Sequence, residues 1–211
     1  KPMTVKRHKA GYHDRNLYQN IASATKLREM NRNNENINDF IPYKLEDIDC
    51  DIPYDISNLD SAIISKLRLM TAEDLQNISE VTEGIENRIL SSANMSYSFE
   101  TLVENVKNKR YTTSKIRRMI ISALIGFTKD IYSPMPQYIR ILGMNKVGMT
   151  ILKQAKGICK VPIITKTADF KEQSPQFNLD VCATNIAMLC NPIPTHRIGN
   201  SDLKKSPIIM K

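Results

Sequence analysis

Apolar residues recur at helical spacing through the middle of this 211-residue chain. Leu59, Ile63, Leu67 and Met70 share one helix face, and Val81, Ile85, Ile89 and Leu90 share another, because steps of three and four residues stack side chains along a 3.6-residue turn. Between them, Thr71 and Asp74 read as a capping-box variant opening a further helix. Ser98 caps a segment 99–108 that turns Phe99, Leu102, Val103 and Val106 inward. The strongest pattern covers 113–127, with Ile116, Met119, Ile120, Ala123, Leu124 and Phe127 on its core side; Arg117 falls away from that face.

After Pro134 and Pro136 the period changes. Residues 138–142 predict a strand ended by Gly143, 145–158 a helix with Val147, Ile151, Leu152 and Ala155 inside, and 161–165 a second strand. Strand, helix and strand with short joints make one βαβ unit, so the two strands should be parallel. A last helix runs from Ser174 or Pro175 to Cys190 and carries Leu179, Cys182, Ile186 and Leu189. From Asn191 the polar, Pro-containing tail predicts a mobile segment. Upstream of the helices, 1–9 alternate weakly around Val5 as a short strand, and 21–28 begin a helix with Ser23 as its cap. The Asn-rich stretch 31–38 reads as a linker, and 43–60 follows with six acids and Pro53.

The net charge of +8 is unevenly spread. Residues 1–34 hold eight Lys or Arg against two acids, 35–106 four against fifteen, 107–171 fourteen against two, and 172–211 four against three. Two basic blocks flank an acidic one, so a polyanion is drawn to the former and repelled by the latter. The second basic block opens with its densest run: Lys107, Lys109, Arg110, Lys115, Arg117 and Arg118 within twelve residues, with Tyr111, Thr112, Thr113 and Ser114 among them. Such a run is either a solvated helix end or a nucleic-acid contact in which cations neutralise phosphates and hydroxyls donate to phosphate or ribose oxygens. Tyr111 either stacks on a base or packs on the following helix.

No apolar run approaches the roughly 18–20 residues that span a bilayer, and the cysteine usage fits reduced thiols in a cytoplasmic protein. The four cysteines are widely separated and form no C-x-x-C pair, which argues against a zinc site or a disulfide framework; Cys182 and Cys190, eight apart, suit two buried positions. No P-loop, G-x-G-x-x-G or G-x-S-x-G occurs, and His8, His13 and His196 belong to no H-x-G-H or H-E-x-x-H element. Asp47, Asp49 and Asp51 read as a solvated acidic loop in preference to a metal site. No catalytic residue is assigned. Ser23, Thr25 and Arg28 form an S-x-T-x-x-R arrangement that reads as an ordinary capped surface helix or as a phosphate cradle, since N–H groups and a cation converge at a helix N-terminus.

Taken in order, Lys6-Arg7, the run from Ala10 to Asp14 and the run from Ile21 to Arg28 resemble the closing segment of the nucleotidyltransferase-type domain of the bacterial tRNA(Met) cytidine acetate ligase family. Glu83 to Arg88, Lys109 to Thr112 with Arg117-Arg118, Tyr138 to Gly143, and Leu152 through Lys166 resemble that family's C-terminal domain, so the likeness extends to about Cys190. The resemblance implies a mainly α fold with a small α/β part: the tail of a Rossmann-like nucleotidyltransferase domain in 1–34, an acidic linker in 35–58, a helix-rich tRNA-binding domain with a parallel βαβ unit in 59–190, and a flexible tail in 191–211.

It further implies an ATP-dependent ligase that forms acetyl-adenylate from acetate and transfers the acetyl group to the wobble cytidine of elongator tRNA(Met). Arg7, Ser23, Thr25 and Arg28 would contact ATP, with Mg²⁺ as its counter-ion. Lys107, Lys109, Arg110, Tyr111, Lys115, Arg117 and Arg118 would contact tRNA. The family's H-x-G-H element is missing from the chain, so the resemblance predicts a C-terminal piece that is inactive alone; the alternative is a non-catalytic RNA-binding module. Asn108 stands where the resemblance leads one to expect Thr.

Overall fold

The computed structural model describes residues 3–4, 11, 15–41, 55–82, 84–132, 135–171 and 174–210. The chain divides into two compact units, 1–54 and 55–211. Arg7, the expected strand over most of 1–9, and Asp47, Asp49 and Asp51 lie outside the described residues.

In the first unit, Tyr18 and Ile21 exchange backbone hydrogen bonds of 2.9 and 2.8 Å across a tight turn. Gln19 sits in that turn at φ +52°. Ser23 then caps α1 (Ala24–Arg32), its Oγ accepting the Lys26 N–H at 3.1 Å. Met30 and Ile37 are buried.

The second unit is built on five helices: α2 (Asp60–Leu69), α3 (Ala72–Asn77), α4 (Ile85–Met95), α5 (Phe99–Val106) and α6 (Thr113–Ile125). Both expected N-terminal caps form. Thr71 and Asp74 make a reciprocal capping box on α3, and Ser98 pairs in the same way with Thr101 on α5; each satisfies amides that no helical carbonyl can reach. Helix α2 lies centrally, against α4, α5 and α6. Its Ile63 and Leu67 meet Leu75, Ile89, Leu102, Val103, Val106, Ile116, Met119 and Ile120 in one core from which water is excluded. Burying each such aliphatic side chain is worth about 1.5–3 kcal/mol. Asp60 ties two helices together, accepting the Phe99 amide at 2.8 Å. Gly126, at φ +75°, ends α6, and the Phe127 N–H turns back to the Ser122 carbonyl at 2.8 Å, a left-handed stop that glycine alone adopts without strain.

The remaining elements are β1 (Ile139–Arg140), β2 (Gly143–Met144), α7 (Lys146–Ile158), β3 (Ile163–Ile164), α8 (Pro175–Met188), α9 (Ser201–Lys204) and β4 (Ile208–Ile209). β1 pairs in parallel with β3, Ile139 opposite Ile163, which is the βαβ pairing that the pattern predicts. Gly143 does not end the strand region. It opens β2, which pairs in parallel with β4. Residues 191–210, read from composition as a mobile tail, therefore carry a helix and a strand. Asp202 is buried there against Arg140, and Asn191 is fully buried, its carbonyl taking the Arg197 Nε–H at 2.7 Å.

Two burial expectations are corrected. α7 has no buried residue, and Val147 and Ile151 are 66% and 60% exposed, because among the described residues no element covers that side of the helix. Of the two cysteines on α8 and its end, Cys190 is buried but Cys182 is exposed, since only the end of α8 reaches the helical core. Among the described residues no helix is long and apolar enough to cross a membrane.

Candidate functional site

The candidate residues fall into two groups, one in each unit. In the first unit the S-x-T-x-x-R stretch folds as a helix start. Ser23 is buried, with extended backbone (φ −72°, ψ 151°), as an N-cap requires. Its Oγ takes the Lys26 amide, which leaves the Ala24 and Thr25 amides at the mouth of the helix without an acceptor among the described residues. Thr25 is half-buried and Arg28 exposed. They are three residues apart, hence on one side of α1. The first turn has no acid. Free amides, a hydroxyl, a guanidinium and the positive end of the helix dipole make a set that fits a phosphate group.

In the second unit, the basic run forms the corner between α5 and α6. Asn108 builds the corner: its Oδ1 accepts the Arg110 and Tyr111 amides at 2.8 and 3.0 Å, an Asx turn for which a Thr hydroxyl is the nearest substitute. Thr112 then caps α6, accepting the Lys115 amide at 3.3 Å. Tyr111 packs against the helical core. Its hydroxyl donates to the Thr82 carbonyl at 3.2 Å, while Arg110 and Lys115 lie 5.5 and 5.0 Å from its ring centre. The ring therefore packs against the protein, with its hydroxyl and its cationic neighbours at the corner.

Most of the cations have internal partners as well. Lys107 Nζ is 3.4 Å from Glu104. Arg117 lies over the Phe99 ring at 5.1 Å and pairs with Glu100, half-buried although periodicity sets it off the core face. Arg118 donates two-pronged to Glu80 at 2.8 and 2.9 Å, and this hydrogen bonding holds the Glu80 carboxyl below its ordinary range. Lys109 alone of the six has neither an ion pair nor a ring contact among the described residues.

Two arginines that sequence reasoning leaves without a role hold the frame. Arg88 caps the end of α5, donating from Nε to the Val106 carbonyl at 2.8 Å and from Nη2 to Asn105 and Lys107 at 3.0 and 2.9 Å. Arg68 does the same for α4, reaching the Ala93 and Ser96 carbonyls at 3.1 and 3.2 Å. Orphan carbonyls at a helix C-terminus attract such cations, yet nothing in the spacing marks these two, since the helix ends they serve are 17 or more residues away. A third cluster lies downstream. Arg140 grips Asp202 with two bonds of 2.7 Å. Beside it Tyr138 donates to Asp180 and packs edge-on against Phe177. Burial and the Asp180 carboxylate push the Tyr138 phenol well above its ordinary range, so it stays a donor.

A family model described as HIGH nucleotidyl transferase matches residues 1–202. The chain is 33% identical to the tRNA(Met) cytidine acetate ligase of Thermosipho africanus over 98% of its own length and 56% of the relative's. It is 30% identical to that of Acetivibrio thermocellus over 99% and 56%. Among solved structures it resembles Thermotoga maritima TmcAL in its apo form, with a TM-score of 0.83 and 27% identity over 98% of this chain and 55% of that one. The same protein bound with alpha-thio ATP gives 0.78 and 28% over 90% and 52%. The chain thus spans about half the length of the relatives it matches.

Proposed function

Because this chain belongs to the HIGH nucleotidyl transferase family, we propose that it is part of an ATP-dependent acetate ligase that forms acetyl-adenylate and acetylates the wobble cytidine of elongator tRNA(Met). The observation that carries this reading is the alignment of almost the whole chain with tRNA(Met) cytidine acetate ligases. The start of α1 supports it, because its free amides with Thr25 and Arg28 are the groups that an ATP phosphate calls for.

In this reading Ser23 orients the helix mouth, while Thr25, Arg28 and Arg7 contact ATP, with Mg²⁺ as the counter-ion of the nucleotide. Acetate oxygen attacks the α-phosphorus, pyrophosphate leaves, and cationic groups stabilise the charge that builds on the phosphoryl oxygens. The helical part and the corner at 107–118 bind tRNA, the acceptor of the acetyl group. The chain carries no H-x-G-H element, so these 211 residues alone bind tRNA without forming acetyl-adenylate. Acetate-dependent exchange of labelled pyrophosphate into ATP, measured on this chain, stays at background; exchange above background refutes the division of labour. Retention of tRNA(Met) on filters falls steeply with salt and weakens on joint replacement of Lys109, Arg110 and Arg117 by Gln. No retention at low salt overturns the reading.

A further inference from the structure

Residues 131–171 carry seven cations and a single acid, Asp169. One of the seven, Arg140, is held by Asp202. The other six are Lys146, Lys153, Lys156, Lys160, Lys166 and Lys171; all are exposed, and none makes an ion pair or side-chain hydrogen bond with a described residue. This is the reverse of the corner at 107–118, where Lys107, Arg117 and Arg118 are each paired to a glutamate. The densest run of positive charge in the sequence is therefore not where unneutralised charge collects in the fold.

The arrangement on α7 is regular. Lys146 and Lys153 are seven residues apart, nearly two turns, and Lys156 lies one turn beyond Lys153, so the three make a stripe about 15 Å long. Lys160 follows just past the helix end. Met149, exposed, lies within the stripe between the positions of Lys153 and Lys156, and Thr150 flanks it. Ile151 and Ile158 belong to another line of the helix, well round from the lysines. Leu152 and Ala155 line an apolar groove of about 490 Å³ together with Ile139 and Ile163 of the strands. α7 carries no aromatic and no acid. Such a face meets a regular array of negative charge and offers nothing on which an unstacked base could lie.

We infer that the α7 face of Lys146, Lys153 and Lys156, continued by Lys160, is a docking ridge for the phosphate backbone of helical RNA. It tracks a tRNA stem by charge and shape and does not read bases. The inference rests on the reading that this chain binds tRNA and adds to the corner a second surface that contacts phosphates. Each strand of a double helix carries one charge per about 3.4 Å of axis, so a single strand alone offers about four phosphates over 15 Å, enough for four lysines. Anionic membrane is the competing partner for a lysine-striped amphipathic helix. RNA is favoured because part of the apolar side already faces this unit's own strands, and because that side lacks the aromatic anchors of interfacial helices.

The test uses the full 211-residue chain with Lys146, Lys153, Lys156 and Lys160 replaced together by Gln, and a second variant with the same four replaced by Arg. Filter binding is measured for tRNA(Met) and for an RNA hairpin of unrelated sequence at KCl concentrations spanning a fourfold range, from about 50 to about 200 mM. The Gln variant loses at least tenfold in affinity for both RNAs. Its slope of log K against log salt becomes shallower by about 3, at roughly 0.7–0.9 per lost phosphate contact. The Arg variant keeps the parent's slope. An unchanged slope in the Gln variant, with the parent binding normally, overturns the ridge and leaves tRNA binding to the corner. Absence of RNA binding by the parent overturns the ridge together with the functional reading beneath it. Loss of binding to phosphatidylserine vesicles with RNA binding intact assigns the face to membranes and also overturns it.

Discussion

Replacing Arg88 with Met removes the clamp on the basic corner while keeping most of the side chain's volume. Three hydrogen bonds go: 2.8 Å to the Val106 carbonyl, 3.0 Å to Asn105 and 2.9 Å to Lys107. These are among the last carbonyls of α5, which the helix itself cannot satisfy. A hydrogen bond from a charged donor is worth about 1.5–3 kcal/mol. Only the bond to Val106 is partly buried; the exposed carbonyls regain water, so the three do not add, and the loss is about 2–3 kcal/mol. For a unit of this size each kcal/mol moves the midpoint by about 2–4 °C, so the variant melts roughly 4–12 °C lower. Circular dichroism at 222 nm during heating, with urea titration as a second measure, reads the change. Arg88→Lys keeps the charge near the helix end but loses the fork, and falls between parent and Met variant. A Met variant melting within a degree of the parent refutes the clamp.

Arg140→Met leaves the Asp202 carboxylate, only 7% exposed, without its counter-charge. The cost is about 3–5 kcal/mol, seen as faster tryptic cleavage within 191–210, and Arg140→Met with Asp202→Leu recovers most of it; equal cleavage of parent and single variant contradicts this. Hydrogen bonds from Arg118 to Glu80, from Gln76 to Glu86 and from the Thr71 amide to Asp74 hold these carboxyls below their ordinary range. A depressed folded pKa gives stability that is fully present above the unfolded value of about 4 and is lost as pH falls through the folded one. Urea midpoints are accordingly level from pH 7 to about 5 and drop below, less steeply in Glu80→Gln; superimposable curves for parent and variant argue against a folded-state role for the Glu80 pair.

How much of this was legible in the sequence differs by element. Caps are local, so Ser23, Thr71 with Asp74, and Ser98 could be read from spacing alone, and each forms. Periodicity also places the core faces of α2, α4, α5 and α6. It fails at α7 because a period states which residues share a face, not whether anything lies over it. The β2–β4 pairing joins strands of two residues each, separated by more than sixty residues, and no pattern of alternation exists over so short a span. At the start of α1, spacing shows the hydroxyls and the cation, but the free Ala24 and Thr25 amides follow only from Ser23 choosing the Lys26 amide.

The charge partition was legible as sequence and changes meaning in space. The acidic block 35–106 and the basic block that follows look like separate surfaces. Yet Glu80, Glu100 and Glu104 from the former meet Arg118, Arg117 and Lys107 from the latter. Exposed pairs of this kind are worth about 0–1 kcal/mol each, so a phosphate can displace a glutamate at small cost. Displacement, however, exchanges one anion for another and leaves the freed carboxylate beside the incoming backbone. An unpaired lysine on α7 meets a phosphate with no such exchange. Salt dependence of RNA binding should therefore respond more strongly, per charge removed, to Lys153 or Lys156 than to Arg117 or Arg118, and single Gln variants compared over one salt series decide it. Equal responses would mean that the glutamates leave the corner cations as available as free ones.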